Sequence, residues 1–144
     1  MATTARINLS SNIMSTYGSY SKTMTMTKAG TTTDLEETTG FATRKLAATT
    51  AVDLITMANE LVEPSDNTAG KVYIKNIGNG KGVVDKTTYV TISIGDTGGT
   101  TQEIGRLYGN DWLLMPLTVV DDMDVVAAPS TNDVVVLEYA MFYE

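Results

Sequence analysis

Lys71-Val72-Tyr73-Ile74-Lys75-Asn76-Ile77 alternates apolar and polar side chains, and Gly78-Asn79-Gly80-Lys81-Gly82 follows it at once. A period of two places Val72, Ile74 and Asn76 on one face of a strand. The Asn-Gly step supplies the positive φ angles of a tight turn, so the segment predicts a strand running into a hairpin tip. The same grammar continues to the end of the chain. Tyr89-Val90-Thr91-Ile92-Ser93-Ile94 is a strand with Val90, Ile92 and Ile94 inward, and Gly95-Asp96-Thr97-Gly98-Gly99 turns it. Residues 101–108 form a strand whose clearest apolar residue is Ile104. Gly109-Asn110-Asp111 turns again, and Trp112-Leu113-Leu114-Met115 enters an apolar run that Pro116 stops. Residues 123–127 give a further strand closed by Pro129. Residues 133–143 give the longest one, with Val135, Leu137, Tyr139, Met141 and Tyr143 on its uncharged face.

Upstream the pattern is weaker. Arg6-Ile7-Asn8-Leu9 alternates briefly, and residues 21–28 alternate with Met24 and Met26 on one face. Residues 31–40 are polar and read as a loop, with a capped helical turn at 33–37. Residues 41–46 read as a strand. Residues 51–57 are assigned to a strand and a loop after it, with a helix over 52–62 as the alternative. About nine short strands with turns every 8–12 residues predict an all-β, antiparallel sandwich or barrel. The domain reading is an N-terminal arm with extra strands over 1–40 and a β-sandwich domain over 41–144.

Composition narrows the chemistry. The 144 residues contain no His and no Cys, the side chains most used for acid–base, thiolate and zinc chemistry near neutral pH. Net charge is −7, and after Arg106 come Asp111, Asp121, Asp122, Asp124, Asp133, Glu138 and Glu144 with no cation. Nucleic acid and an anionic membrane are therefore not expected partners. No apolar run reaches the ~20 residues of a membrane-spanning helix. The first residues lack the apolar stretch of a signal peptide, which predicts synthesis and assembly in a cytoplasm.

No motif survives as a catalytic or cofactor site, and none is expected. The glycines at 78–82 lack phosphate-loop spacing and precede no helix. Asp121, Asp122 and Asp124 are oxygen ligands of the kind calcium takes, but no EF-hand glycine or closing glutamate accompanies them, and a solvated acidic loop is the preferred reading. G-x-S-x-G does not occur. Tyr108, Trp112 and Tyr139 read as core anchors.

The Lys71–Asn76 segment, the Tyr89–Ile94 strand, the passage Glu103-Ile104-Gly105-Arg106-Leu107-Tyr108-Gly109-Asn110-Asp111-Trp112 and the closing Leu137-Glu138-Tyr139 resemble small virion proteins of tailed bacteriophages, marine and cyanobacterial phages in particular. The resemblance covers residues 71–144 and carries the strand order of a jelly-roll-like sandwich. It implies a virion protein: a capsid decoration (cement) protein, a fibre knob or a tail accessory protein, commonly trimeric and without catalytic residues. The resulting expectation is a decoration protein on the outer surface of the major capsid protein. A fibre- or tail-associated host-binding module, with exposed aromatics near Tyr108 and Trp112, is the alternative. Contacts to neighbours are expected at Ile7, Leu9, Met24 and Met26 of the arm and at Phe142 and Tyr143 of the last strand.

Overall fold

A computed structural model of the chain describes residues 3–10, 19–27, 35, 37–57, 68–79, 86–120 and 123–143. Eleven strands lie among these residues: β1 (Thr4–Ser10), β2 (Ser19–Thr25), β3 (Glu37–Thr38), β4 (Ala42–Leu46), β5 (Val52–Ile55), β6 (Thr68–Asn76), β7 (Tyr89–Gly95), β8 (Thr101–Tyr108), β9 (Trp112–Val119), β10 (Val125–Pro129) and β11 (Val135–Tyr143). Every pairing is antiparallel.

The strands β4 to β11 form two facing sheets, ordered β4-β11-β6-β9 and β5-β10-β7-β8. This is the double Greek key of a jelly roll. The pairings are nested: β7 with β8, β6 with β9, β5 with β10 and β4 with β11. A long hairpin has in effect been rolled up, and only the β7–β8 connection stays within one sheet. The short β3 extends the first sheet by pairing with the end of β11. The β1–β2 hairpin forms a small sheet of its own.

Alternation explains the core. Val72, Ile74, Val90, Ile92, Val125, Ala127, Leu137 and Met141 are fully buried between the sheets, with Leu54, Ile55 and Met57 closing one side. Each such aliphatic side chain contributes about 1.5–3 kcal/mol relative to exposure. The expected inner face of β11 is the observed one: Val135, Leu137 and Met141 are core, and Tyr139 and Tyr143 pack against them.

Four sequence expectations change. The segment 78–82 does not join a hairpin, because β6 and β7 lie in different sheets; residues 80–82 themselves lie outside the described set. Pro116 does not stop its strand. It sits inside β9, an edge strand, where the missing N–H leaves no ladder bond unmade on the open side. The helical turn expected at 33–37 is replaced at its end by β3, while residues 33, 34 and 36 lie outside the described set. Ile104 is exposed, since the β7–β8 register shifts between Ile92 and Ser93 and leaves an extra residue on β8. Ile94, beyond that bulge, is only half-buried. Residues 52–55 are strand as assigned, and the remainder of the 52–62 alternative from residue 58 on lies outside the described residues.

Buried polar groups are satisfied where the chain changes sheet. Asn76 donates from Nδ2 to Leu107 O at 3.0 Å and accepts from Gly78 N at 2.9 Å. Its backbone bonds Asp111 O and Asn110 N, so one residue ties the end of β6 to the β8–β9 turn. Asp124 accepts from Met57 N at 2.7 Å and fastens β10 to the end of β5.

Candidate interaction face

The outward side chains of β4, β11, β6 and β9 share one face. Register places Glu138, Lys75 and Trp112 in one row, Ala140, Tyr73 and Leu114 in the next, and Phe142, Lys71 and Pro116 in a third. Phe41, just before β4, makes edge contacts with Tyr73 (ring centroids 5.7 Å apart) and Phe142 (6.4 Å). Ala140 is fully buried although it points away from the core, in the row between those of Glu138 and Phe142. Phe41 itself is 69% exposed and Trp112 46% exposed.

Phe41 is held in place. Thr38 Oγ1 donates to Met141 O at 2.7 Å and accepts from Gly40 N at 3.0 Å. Thr39 N donates to the same Met141 O, and Thr39 Oγ1 accepts from Met141 N, both at 3.0 Å. Gly40 takes φ +70°, which a β-carbon would resist. The Thr-Thr-Gly step is thus clamped to β11 and aims the following ring outward.

The N-terminal hairpin borders the same face. Ala5, Arg6 and Ile7 of β1 and Tyr73, Lys75, Trp112 and Leu114 of the sheet line an open cleft of about 320 Å³. The cleft carries two cations, two aromatic rings and three aliphatic side chains. Arg6 Nε donates to Ser21 Oγ across the hairpin at 3.4 Å.

Tyr73 OH donates to Glu138 Oε1 at 3.0 Å in the middle of the face. Partial burial, and next the hydrogen bond and negative charge of Glu138, push the phenol up to about 12 from its usual value near 10. A raised folded-state value means that the unfolded chain releases its proton first, so stability present below pH ~10 is lost as pH rises toward ~12. Tyr73→Phe is expected to flatten the alkaline fall in unfolding free energy in denaturant titrations at stepped pH, by less than the full shift because solvent screens this partly exposed phenol. An unchanged slope in the variant would assign the loss to other groups.

The six expected contact residues separate. Ile7 is half-buried and lines the cleft, and Phe142 belongs to the aromatic cluster. Met24 is exposed on β2. Leu9 pairs with Tyr20 in the hairpin ladder, and its side chain lies outside the described set. Met26 is only 3% exposed in its own chain, and Tyr143 packs inward against the core, so neither offers a free surface. Tyr108 and Trp112 are not core anchors. They flank the β8–β9 turn on the outer faces of two different sheets, because the chain changes sheet there, and of the three only Tyr139 packs on the core. Phe41, Tyr73, Lys71 and Lys75 were missed as site residues. The signal was present in the outward parity of Tyr73, Lys71 and Lys75 and in the glycine before Phe41.

The opposite face, on the β7–β8 sheet, is self-contained. Arg106 lies over the Tyr89 ring (4.8 Å to its centroid) and pairs with Glu103 at 3.1 Å, and Tyr89 stacks obliquely on Tyr108. Of the three aspartates weighed for calcium, Asp124 is buried and bonded to Met57 N, while Asp121 and Asp122 lie outside the described residues. Among the described residues no three acidic side chains converge as a metal site would need. A scan of the chain against models of known protein families gives no match, and no curated protein matches its sequence.

Proposed function

We propose that this chain is a structural protein of a bacteriophage virion: a capsid decoration protein, assembled in the host cytoplasm as a homo-oligomer, a trimer in the favoured form, that binds the outer surface of the major capsid protein and stabilises the shell. The observation that carries this reading is Phe41, a rigidly held, 69% exposed aromatic on the outer face of the β4-β11-β6-β9 sheet. Such pre-set aromatic anchors are what protein interfaces use, because little ordering entropy is lost on contact. The jelly-roll order and the resemblance of residues 71–144 to phage virion proteins support the same reading. Contacts made only in the assembled shell would raise its stability by mass action.

The test is co-sedimentation of the purified protein with expanded capsids that lack it, and with host cells. Saturable pelleting with capsids at a fixed copy number per hexamer is the expected result, together with a higher melting temperature of the decorated shell. A second reading, a fibre- or tail-associated host-binding module, is favoured by the exposure of Tyr108 and Trp112 beside one turn. Pelleting with cells and not with capsids would overturn decoration in its favour.

A further inference from the structure

We propose that the outer face of the β4-β11-β6-β9 sheet is the surface by which one copy of this chain binds a second copy, in a head-to-tail contact that closes into a ring. The inference rests on the homo-oligomeric part of the proposed function and not on capsid binding.

Three observations carry it. The first is the anchor: Phe41 stands out from a ring cluster with Tyr73 and Phe142, on a turn fixed by hydrogen bonds to Met141. Its two edge contacts within the chain leave most of the ring in solvent. The second is the charge around it. Lys45, Lys71 and Lys75 point outward on this face and Arg6 borders it, against the one described carboxylate of Glu138, which is bonded to Tyr73. None of the three lysines has an ion-pair partner among the described residues. The third is the chain as a whole, which carries −7. A cationic face on an anionic molecule makes the rest of that molecule more anionic still. Every other copy therefore offers a complementary surface, while two such faces repel one another. A twofold, face-to-face pair is disfavoured, and a heterologous contact remains. Heterologous contacts that close give rings, of which a trimer is the smallest.

The fold keeps this contact from spreading as sheet extension. Pro116 interrupts the open edge of β9, and the bulge at Ile104 with Glu103 and Arg106 blunts the open edge of β8.

Sedimentation velocity of the purified full chain decides the matter. The wild type is expected to run as a closed oligomer that weakens as salt is raised. Phe41→Ala is expected to weaken association about 30-fold, the size of an interface anchor. The double variant K71E/K75E is expected to run as a monomer. Both change outward-facing residues, and near-wild-type melting curves show that they fold. Ile104→Ala, on the opposite sheet, is the control and should assemble as the wild type does. A monomeric wild type overturns the proposal and leaves the face to a different acidic protein. Assembly of both variants like the wild type also overturns it, with the homo-oligomer itself left standing. Capsid co-sedimentation reads the decoration function separately.

Discussion

Asn76→Leu is expected to lower the unfolding free energy by about 3–5 kcal/mol, because two buried groups lose their only side-chain partner at once. Leucine has nearly the shape of asparagine, so the loss isolates polar satisfaction from volume. Gly78 N–H and Leu107 C=O would each be left facing an apolar side chain. An unsatisfied buried group costs about 1–3 kcal/mol, and the two lie at the ends of one amide. The backbone bonds from Asn76 to Asn110 and Asp111 would loosen with them, since the β8–β9 turn is held there with Asn110 at φ +74°. In urea the midpoint should fall with an unchanged slope, and the melting temperature should drop by roughly 10 °C at ~3 °C per kcal/mol. A loss below ~1 kcal/mol would show that the amide is not the tie between these strands.

Gly95→Ala comes next, at about 3 kcal/mol or more. Gly95 takes φ +131°, a region essentially reserved for glycine. A β-carbon there would lie 2.3 Å from Thr100 O and 3.0 Å from Thr101 Cα, backbone atoms where the turn enters the facing strand. No rotamer change relieves such a clash, and Gly95 N also bonds Asp124 O. The only adjustment is to open the β7–β8 hairpin, the most local strand pair of the roll. The variant is therefore expected to lose stability mainly through slower refolding, with a smaller change in unfolding rate, in stopped-flow dilution from urea. Destabilisation confined to the unfolding limb would mean that the hairpin closes late.

The strands and their inner faces were legible because burial imprints a period of two on sequence. Val72, Ile74 and Asn76, and then Val135, Leu137 and Met141, point where alternation says. Sheet membership was not legible. Gly78-Asn79-Gly80 has hairpin chemistry, yet β6 and β7 lie in different sheets, because β6 finds β9 and β11 as partners and pairing is a non-local choice. The outward aromatics failed for a related reason. Parity says that Tyr73 and Trp112 leave the core, but exposure depends on whether another segment covers them. The β1 hairpin partly flanks both, and nothing in their own neighbourhood announces it. A single inserted residue at Ile104 likewise reverses a face without a compositional signal. Phe41 was read as the start of a strand, and its role depends on Thr38 and Thr39 meeting Met141 from the far end of the chain.

The nested pairing of the roll also sets a timetable. β7 and β8 are joined by a short turn, whereas Leu46 must find Val135 across most of the domain. Loop-closure entropy favours zipping from the inside outward, and a topology so rich in distant contacts folds on the millisecond-to-second scale. Phe41 and Phe142 belong to the outermost layer, the last to close. That face is therefore completed only when β11 has paired with β4 and β6 and the core is shut. That order would keep half-folded copies from presenting a finished Phe41 surface to one another.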